Sequence, residues 1–429
     1  MLPANEAEKV ILDRIIPLSA DQDIEKIRLS AAYGRVLAAV VTSPLDFPHW
    51  DNSAMDGYAV RFADVMTCSP EHPAALTVVE EIPAGYQPQQ MIQPGQAARI
   101  MTGAVMPTGA DTVVMQENTR RDNNRVMVFS APDFQAFVRH RGAFYQAGHP
   151  LLPAGIRLSA PDIAVLSAAQ CVNVPVFRRP RVAILSTGDE LVTPDQPLKP
   201  GQIVDSNQIA LASLVTSTGA EPIDLGIIPD KPEALKEAIA QARSQADMIL
   251  SSGGVSVGDY DYVDRILVEL GGDIHVRSVA VKPGKPLTVA TLERQNEGSG
   301  SQYRGTIPNS PSPIPSVLYL GLPGNPVSAL VSFWRFAQPA LRKLSGLSDS
   351  WSPTIVTGRS RHDLQSGGQR ETYLWGRVNS VEGAYEFQLP GGSHSSGNLI
   401  NLVQTNALAI VPIGETRIAA GQPVQIMLV

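Results

Sequence analysis

The clearest pattern along the chain lies between residues 181 and 344, where short apolar runs alternate with amphipathic stretches. Continuous apolar runs predict four buried strands, at Val182–Ser186, Ile223–Ile228, Met248–Ser251 and Val317–Leu320. A helix is predicted after each strand, at 207–219, 232–242, 263–270 and 327–344. Strands that are apolar throughout and alternate with helices predict a doubly wound parallel sheet that is covered on both faces.

The flanking segments have different patterns. Residues 5–16 place apolar side chains on one face and predict a helix that Asn5 caps and Pro17 ends. A second helical stretch is predicted from Asp23 to Val41, and Ser159 is predicted to cap a short helix before a strand at Val172–Phe177. Short β-branched runs between Gly and Pro turns predict β structure, both at 44–144 and in the tail after residue 351.

These patterns predict an α/β multidomain chain. An elongated N-terminal/linker domain is expected from the discontinuous segments 1–43 and 145–178, with a β-rich domain, 44–144, inserted between them. The α/β domain is expected at 179–345 and a small C-terminal β-barrel at 346–429. The Ser-, Gly- and Pro-rich segment Arg294–Ser316 is predicted to be a mobile insertion, with a lid as the alternative.

Composition excludes several classes of protein. The 429 residues are 43% hydrophobic and 17% charged, which excludes global disorder. Lys and Arg number 34 against 41 Asp and Glu, so the net charge of −7 disfavours nucleic-acid binding. No apolar run reaches about 18 residues, so no membrane span is expected. Cys68 and Cys171 are too few for a disulfide framework or a thiolate zinc site, which favours a cytoplasmic protein.

The turns after the four predicted strands contain candidate chemistry. Ligands of an open parallel sheet bind beyond the carboxyl ends of its strands, so we expect these turns to share one edge. They are Ser-Thr-Gly-Asp-Glu-Leu at 186–191, Pro-Asp-Lys at 229–231, the loop at 251–262 and Gly-Leu-Pro-Gly-Asn-Pro at 321–326. The loop at 251–262 offers N–H groups and hydroxyls suited to phosphate, although an ordinary strand-to-helix turn remains an alternative.

Charged side chains near these turns suggest how an anion is bound. Lys282 and Lys285 lie on a Pro-rich turn and are either a solvated pair or a positive well for an anionic substrate, and Arg139 is a further candidate. Carboxylates among phosphate-binding loops indicate a hard cation such as Mg²⁺. They are Asp189, Glu190, Asp230, Asp259 and Asp261, of which Asp189 or Glu190 could instead cap a helix.

Six motifs together resemble the molybdopterin molybdenumtransferases, the bacterial MoeA and gephyrin E-domain family. They are DNSAMDGYAV at 51–60, RIMTGA at 99–104, STGDEL at 186–191, SSGGVSVGDYDY at 251–262, VKPGKP at 281–286 and GLPGNPVSA at 321–329. The resemblance implies a molybdopterin-binding α/β domain in an enzyme of molybdenum cofactor synthesis. Such an enzyme inserts molybdenum from molybdate into adenylylated molybdopterin and releases AMP, with Mg²⁺ or a similar divalent cation.

The resemblance also implies the roles of individual residues. Asp56 and Thr102 match catalytic residues of the inserted domain, while Glu190, Asp230 and Asp261 match catalytic acids that also bind the metal. Substrate binding is implied for Lys282, Lys285, Pro323 and Pro326 and, by a looser match, for Ser393 and Ser395. Loop and charge chemistry add the substrate-binding candidates Ser251, Gly253, Gly254, Ser256, Gly258, Asn325 and Arg139. The family forms elongated homodimers in which the active site lies between the α/β domain of one subunit and the inserted domain of the other.

Two other functions stay open, one because the same α/β module serves adenylylation and the other because of a departure from the family. After Arg141-Gly142 the family has a Glu-Asp pair, where this chain has Ala143-Phe144. The alternatives are a molybdopterin adenylyltransferase, against which the inserted domain and DNSAMDGYA argue, and a catalytically weakened binding or scaffold homologue. The predicted partners are molybdate, adenylylated molybdopterin, a second copy of the chain and, transiently, the adenylyltransferase and cofactor-accepting enzymes; no nucleic acid and no membrane are predicted.

Overall fold

The computed structural model describes residues 1–254, 262–294 and 316–429. The chain divides into two compact units. The first unit consists of Met1–Ala39, Ala154–Ser159 and Pro175–Val429, and the second of Val40–Pro153 and Ala160–Val174. The predicted mobile insertion falls on residues 295–315, outside the described residues, and the division into four domains stays a prediction.

The first unit contains the sheet that the apolar runs predict. Its six strands are hydrogen-bonded in the order Glu221–Ile228, Arg181–Thr187, Met248–Ser252, Ser316–Leu322, Pro286–Glu293 and Asp273–Ser278. The first four are parallel, as predicted, but the last two pair antiparallel with their neighbours, so the sheet is mixed. The pattern predicted neither of these two strands. Asp273–Ser278 is an edge strand that alternates polar and apolar residues and lacks a continuous apolar run, whereas Pro286–Glu293 lies inside the sheet and is mostly buried.

Helices cover both faces of this sheet. They span Ser206–Ser217, Pro232–Gln245, Tyr262–Glu269 and a long helical region at 326–344. Alternate side chains of one strand enter two cores, since Val182 and Ile184 pack in one and Ala183 and Leu185 in the other. A sheet with two buried faces needs strands that are apolar throughout, which explains why the sequence pattern was so clear.

The long helix predicted over 327–344 is interrupted in its middle. It is observed as Pro326–Ser332, a π-helical turn at Phe333–Ala337 and Gln338–Leu344. Pro339 has no N–H to donate to the carbonyl of residue 335, so the regular α-helical hydrogen bonding cannot continue through this point.

The N-terminal helix spans Ala4–Arg14, close to its prediction, but Asn5 does not cap it. Pro3 occupies the cap position and the Asn5 side chain instead accepts a hydrogen bond from Arg335. The second predicted helix is wrong, because its segment contains the strand Ile24–Arg28 and a 3-10 turn at Leu29–Ala31. Ile24–Arg28 pairs with Asn173–Phe177, so pairing with a distant strand outweighed local helix propensity.

The C-terminal strands close into a five-stranded barrel, as predicted. Around the barrel they are Glu371–Val381, Ala384–Gln388, Ile355–Ser360, Pro423–Leu428 and Ala407–Val411, which pairs again with the first. The pattern did not predict Ala384–Gln388, a short strand that buries only Phe387 fully. Val281–Lys282 pairs in parallel with the start of Glu371–Val381 and thereby attaches the lysine turn to the barrel.

The second unit is rich in β structure, as predicted for 44–144. Its six-stranded sheet has the order Thr112–Met115, Gly57–Val60, Gln96–Ile100, Ala74–Ile82, Arg125–Val128 and Thr119–Asp122. Short strand pairs join Asn52–Ser53 to Val138–Arg139 and Val41–Thr42 to Pro150–Leu152. The predicted helix after Ser159 is present at Ala160–Ala168.

Short elements complete the described chain. In the first unit, Leu191–Val192 pairs with Ile203–Val204 and Leu364–Gln365 pairs with Arg417–Ile418. The remaining 3-10 turns are Phe62–Asp64, Gln116–Asn118 and Leu399–Leu402. Within the described ranges, no helix combines the length and apolar content that crossing a bilayer requires.

Candidate functional site

A cavity of about 1450 Å³ lies at the carboxyl ends of the parallel strands in the first unit, and we call it the rim cavity. The loops after all four parallel strands contribute to its lining. Their lining residues are Thr187, Gly188 and Glu190 from one loop, Asp230 from the next, Ser252–Gly254 from the third and Pro323–Pro326 from the fourth. The prediction that these loops share one edge of the sheet is therefore confirmed.

Glycine allows two of these loops to meet. A Cβ atom on Gly253 would lie 2.5 Å from the carbonyl oxygen of Thr187, and one on Gly254 would lie 2.9 Å from the Thr187 hydroxyl. Both glycines also have positive φ angles, +88° and +70°, which side chains disfavour. Any larger residue here would push the loops apart, so the sequence Gly253-Gly254 is needed for the shape of the rim cavity.

The serines at the start of the third loop have different environments. The Ser251 hydroxyl is buried and shares a hydrogen bond of 2.5 Å with the Tyr319 hydroxyl, so it lies beneath the lining. Ser252 lines the rim cavity, and its hydroxyl accepts a hydrogen bond from Asn207 at 2.6 Å. Among the described residues of this loop, Ser252 is therefore better placed than Ser251 to contact a ligand.

Asn207 is a rim-cavity residue that the sequence pattern did not select. Its Nδ2 also donates to the Gly324 carbonyl at 2.8 Å, so one side chain joins the third and fourth loops. Its buried Oδ1 has no partner within the described ranges. The sequence signal for Asn207 was its position at the start of a helix, two residues after the capping Asp205. Such a position indicates a helix cap as readily as a ligand-binding residue.

Carboxylates gather on one part of the lining. Glu190 and Asp230 line the rim cavity, and the Asp230 backbone N–H donates to Asp189 at 3.2 Å. Burial, followed by the nearby charges of Asp189 and Glu190, raises the pKa of Asp230 above its ordinary value. This part of the lining therefore places negative charges close together. Carboxylate oxygens in such a place suit a hard cation such as Mg²⁺.

The described residues do not complete a metal site. Across 1–254, 262–294 and 316–429, no group of three or more His, Cys, Asp or Glu side chains is arranged to hold a metal ion. The predicted metal ligand Asp261, and the predicted substrate residues Ser256 and Gly258, lie outside the described residues. The donor chemistry of Glu190 and Asp230 fits a divalent cation, but their role as ligands stays a prediction.

Cations line the same cavity. Lys282 and Lys285 are lining residues, as is Arg370, which the sequence pattern did not select. Arg370 donates to the Val281 carbonyl at 3.2 Å, next to the lysine turn. A single Arg before a strand gives no distinctive sequence signal, and only the pairing of Val281–Lys282 with Glu371–Thr372 reveals where it lies.

The C-terminal barrel supplies a further wall of the rim cavity. Tyr373 and Trp375 line it together with the loop from His394 to Gly397, which includes the predicted Ser395. The predicted Ser393 is instead one position before the lining residues, and its carbonyl accepts hydrogen bonds from two asparagines, Asn398 and Asn401. Asn325 Nδ2 donates to the Ser396 hydroxyl at 3.4 Å, which brings the fourth rim loop to the barrel.

Asp56 and Thr102 lie together in the second unit. The Asp56 carboxylate accepts hydrogen bonds from the Thr102 backbone N–H at 2.7 Å and from its hydroxyl at 2.8 Å. These bonds, with a contribution from Arg99, lower the pKa of Asp56. Asp56 is therefore a carboxylate at neutral pH, which suits a proton acceptor or an orienting group rather than a proton donor.

The turn after Arg139 is where the chain departs from the family. Arg139 pairs in the second unit with Asn52, on the strand that precedes Asp56. Arg141 Nε donates to Asp46 at 2.6 Å, and its backbone N–H donates to Asp51 at 2.7 Å. Phe144, in the place of a family carboxylate, is 75% exposed, so the carboxylates beside this turn come from an earlier segment of the chain.

Three family models cover most of the chain. Residues 2–169 match the MoeA N-terminal region (domain I and II), and residues 183–343 match a probable molybdopterin binding domain. Residues 357–429 match the MoeA C-terminal region (domain IV). The three matches follow the order expected for this family.

Full-length relatives give the same result. A molybdopterin molybdenumtransferase of Nostoc sp. is 58% identical over 100% of this chain and 94% of its own length. One from Haemophilus influenzae is 32% identical over 99% of this chain and 98% of its own. The crystal structure of a molybdopterin biosynthesis MoeA protein from Pyrococcus horikoshii aligns with all of both chains at 28% identity, with a TM-score of 0.81. The chain belongs to the MoeA family.

Proposed function

We propose that this chain is a molybdopterin molybdenumtransferase, which inserts molybdenum from molybdate into the dithiolene of adenylylated molybdopterin and releases AMP. The relatives from Nostoc and Haemophilus bear that name. The observation that carries the proposal is the composition of the rim cavity, where a glycine-rich loop, three cations and carboxylates line one space. A molecule with both a pyrophosphate and an oxyanion to bind needs such a combination.

The rim loops would hold the pyrophosphate. Ser252, Gly253 and Gly254 offer a hydroxyl and backbone N–H groups, while Lys282 and Lys285 would neutralise the phosphate charge. Water then attacks one phosphorus, the bond from that phosphorus to the bridging oxygen breaks, and AMP leaves. Charge that develops on the phosphate oxygens during this step is stabilised by groups already in position.

A divalent cation such as Mg²⁺ would be held by Glu190 and Asp230, with Asp261 as the further predicted ligand. It would supply positive charge to the phosphate oxygens of the substrate. The raised pKa of Asp230, caused by burial and by its two acidic neighbours, supports this assignment because a bound cation would relieve the repulsion.

Asp56 and Thr102 would complete the site from a second copy of the chain. The lowered pKa of Asp56, which the Thr102 hydrogen bonds cause, supports a role in which the ionised carboxylate orients the attacking group. Arg139 and Ser395 would help to bind molybdate. A homodimer and transient contacts with the adenylyltransferase and with cofactor-accepting enzymes stay proposals, as does a cytoplasmic location, which the two free cysteines favour.

The test is AMP release from adenylylated molybdopterin by the purified chain, with molybdate and Mg²⁺ present or each left out. We expect AMP to appear faster with molybdate than without it, and chelation of the cation to slow the reaction. Formation of adenylylated molybdopterin from ATP and molybdopterin without molybdate would instead indicate an adenylyltransferase. Binding of substrate without molybdate-dependent AMP release would indicate the weakened homologue.

A further inference from the structure

Arg335 lies at the centre of a buried polar network in the first unit. It belongs to the π-helical turn Phe333–Ala337 and is 4% exposed. Its Nε donates to the Tyr373 hydroxyl at 2.9 Å, its Nη1 to the Glu8 carboxylate at 2.5 Å and its Nη2 to Asn5 Oδ1 at 2.8 Å. One guanidinium thus joins the N-terminal helix, the interrupted helix and the barrel.

The network continues from Tyr373 to the wall of the rim cavity. The Tyr373 hydroxyl, which accepts from Arg335, donates to the Glu371 carboxylate. Glu371 and Thr372 pair with Val281 and Lys282, and the Glu371 N–H donates to the Ala280 carbonyl at 2.9 Å. The first residues of this barrel strand therefore have the network on one side and the lysine turn on the other.

We propose that Arg335 is a positioning residue for the cations of the rim cavity. It fixes Tyr373, and through Tyr373 it fixes the register of residues 370–373 against the lysine turn. Arg370 and Lys282 gain their positions from that register, because Arg370 bonds to the Val281 carbonyl and Lys282 pairs with Thr372. The role rests on the proposed function, since these cations are the groups expected to neutralise the pyrophosphate of the substrate.

A purely structural role would give a different pattern of effects. Removal of one partner from a buried ion pair destabilises a fold, whatever lies near the pair, and the Arg335–Glu8 pair lies between two helices. The Arg335–Tyr373 bond instead leads to the rim cavity. The two arms can be removed separately, as Glu8→Gln and Tyr373→Phe, so stability and substrate binding can be assigned to different arms.

The chain offers a matched control at the opposite edge of the sheet. Arg178 donates to Asp247 at 2.6 and 2.9 Å and to Asp23 at 2.8 Å, in a partly buried network of similar size. Asp247 precedes the amino end of the strand Met248–Ser252, whereas the rim cavity is at the carboxyl ends. Arg178→Lys therefore disturbs a comparable network that does not lead to the cations.

The experiment measures KM for adenylylated molybdopterin, kcat for AMP release, the thermal midpoint and amide hydrogen exchange in wild type, R335K, Y373F, E8Q and R178K. For Y373F and R335K we expect KM for adenylylated molybdopterin to rise about tenfold, the scale of one charge-assisted hydrogen bond, with kcat within about twofold of wild type. In both variants, amides of 280–282 and 371–373 should exchange faster. E8Q and R178K should lower the thermal midpoint and leave KM unchanged.

The outcomes separate the inference from the proposed function. An inactive wild type would refute the proposed function, while faster exchange at 280–282 in Y373F would still support the positioning role of the network. An active wild type with unchanged KM and unchanged exchange in Y373F would refute the inference. The inference would also be refuted if KM rose in all four variants in proportion to their loss of thermal stability, because that pattern indicates a structural role alone.

Discussion

The hydrogen bonds and charged neighbours of a single carboxylate decide the direction in which its pKa is shifted. Asp56 accepts two bonds from Thr102 and has a lowered pKa, whereas Asp230, which lies near Asp189 and Glu190, has a raised one. The surroundings thus shift the two pKa values in opposite directions: those of Asp56 favour the ionised form, while those of Asp230 favour a bound proton or cation. This difference could not be predicted from the motifs, in which both residues are only aspartates beside glycine or proline.

Asp56→Asn should reduce molybdate-dependent AMP release by about tenfold to a hundredfold, the usual loss for one general acid–base group. Because the pKa of Asp56 lies below its ordinary value of 3.8, the carboxylate stays ionised across the neutral range, and the loss should be equally large from about pH 6 to pH 8. Thr102→Ser, which keeps the hydroxyl donor, is the control and should retain most activity. Turnover by Asp56→Asn at the wild-type rate would show that the assignment is wrong.

Asp230→Asn should stabilise the protein at neutral pH. A raised folded-state pKa means that folding favours the protonated form, so its contribution to stability is present below 3.8 and is lost as the pH rises through the folded pKa. At pH 7 the ionised Asp230 therefore opposes folding, but the side chain is exposed and water screens its charge, so the amide should raise the thermal midpoint by about 1 °C at most.

The same variant tests the predicted cation site. Mg²⁺ should raise the thermal midpoint of wild type more than that of Asp230→Asn, because only wild type keeps the carboxylate ligand. Asp21→Asn, which changes an exposed carboxylate outside the rim cavity, is the control and should respond to Mg²⁺ as wild type does. Equal Mg²⁺ responses in wild type and Asp230→Asn would contradict the role of Asp230 as a ligand.

At the scale of elements, apolar strand runs were the reliable signal and polar edge strands were not. Arg181–Thr187 and Met248–Ser252 are buried on both faces, so each local sequence is apolar throughout and its type is evident. The strand Ile24–Arg28 has mostly exposed side chains and is held by pairing with Asn173–Phe177. Its local sequence suits a helix equally well, which is why the helix predicted from Asp23 to Val41 was wrong.

Gly253→Ala should disturb the junction of the first and third rim loops. The added Cβ would meet the Thr187 carbonyl oxygen at 2.5 Å, and the positive φ adds backbone strain, so we expect a loss of about 2 to 3 kcal/mol in unfolding free energy. Gly271→Ala is the matched control, because its φ of +81° is similar but its Cβ would meet nothing within 4 Å. It should cost only about 1 kcal/mol, the penalty for a left-handed residue.

Chemical denaturation monitored by circular dichroism would measure both glycine variants, and KM for adenylylated molybdopterin would be measured in parallel. KM should rise in Gly253→Ala and stay near wild type in Gly271→Ala. Equal destabilisation by the two substitutions would mean that the close approach to Thr187 does not matter.

At the scale of the whole molecule, the proposed function needs a second copy of the chain, because the family resemblance assigns Asp56 and Thr102 to a different subunit from the residues of the rim cavity. Asp56 and Thr102 belong to the second unit, while the lining residues of the rim cavity belong to the first. A dimer with one site at each interface would contain two such combinations.

Two inactive variants should therefore complement each other. When Asp56→Asn and Lys285→Ala are refolded together in equal amounts, one half of the dimers should be heterodimers. Each heterodimer would have one intact site of its two, so activity should reach about a quarter of wild type. Refolded separately and mixed afterwards, as the control, they should show only the sum of their residual activities. The same low sum after joint refolding would show that one subunit supplies the whole site.

The sequence by itself determined the parallel core of the sheet, the shared edge of its four loops and the family, because burial on both faces and close backbone turns leave local signatures in residue type. Only the tertiary structure decided the two antiparallel strands of the sheet, the role of Asn207 between two loops, the place of Arg370 and the Arg335 network. Asn5 and Glu8 meet Arg335 across more than 300 residues, with separations of 330 and 327 positions. The local sequence indicates whether a side chain can be buried, but the packing of distant elements determines which residue that side chain contacts.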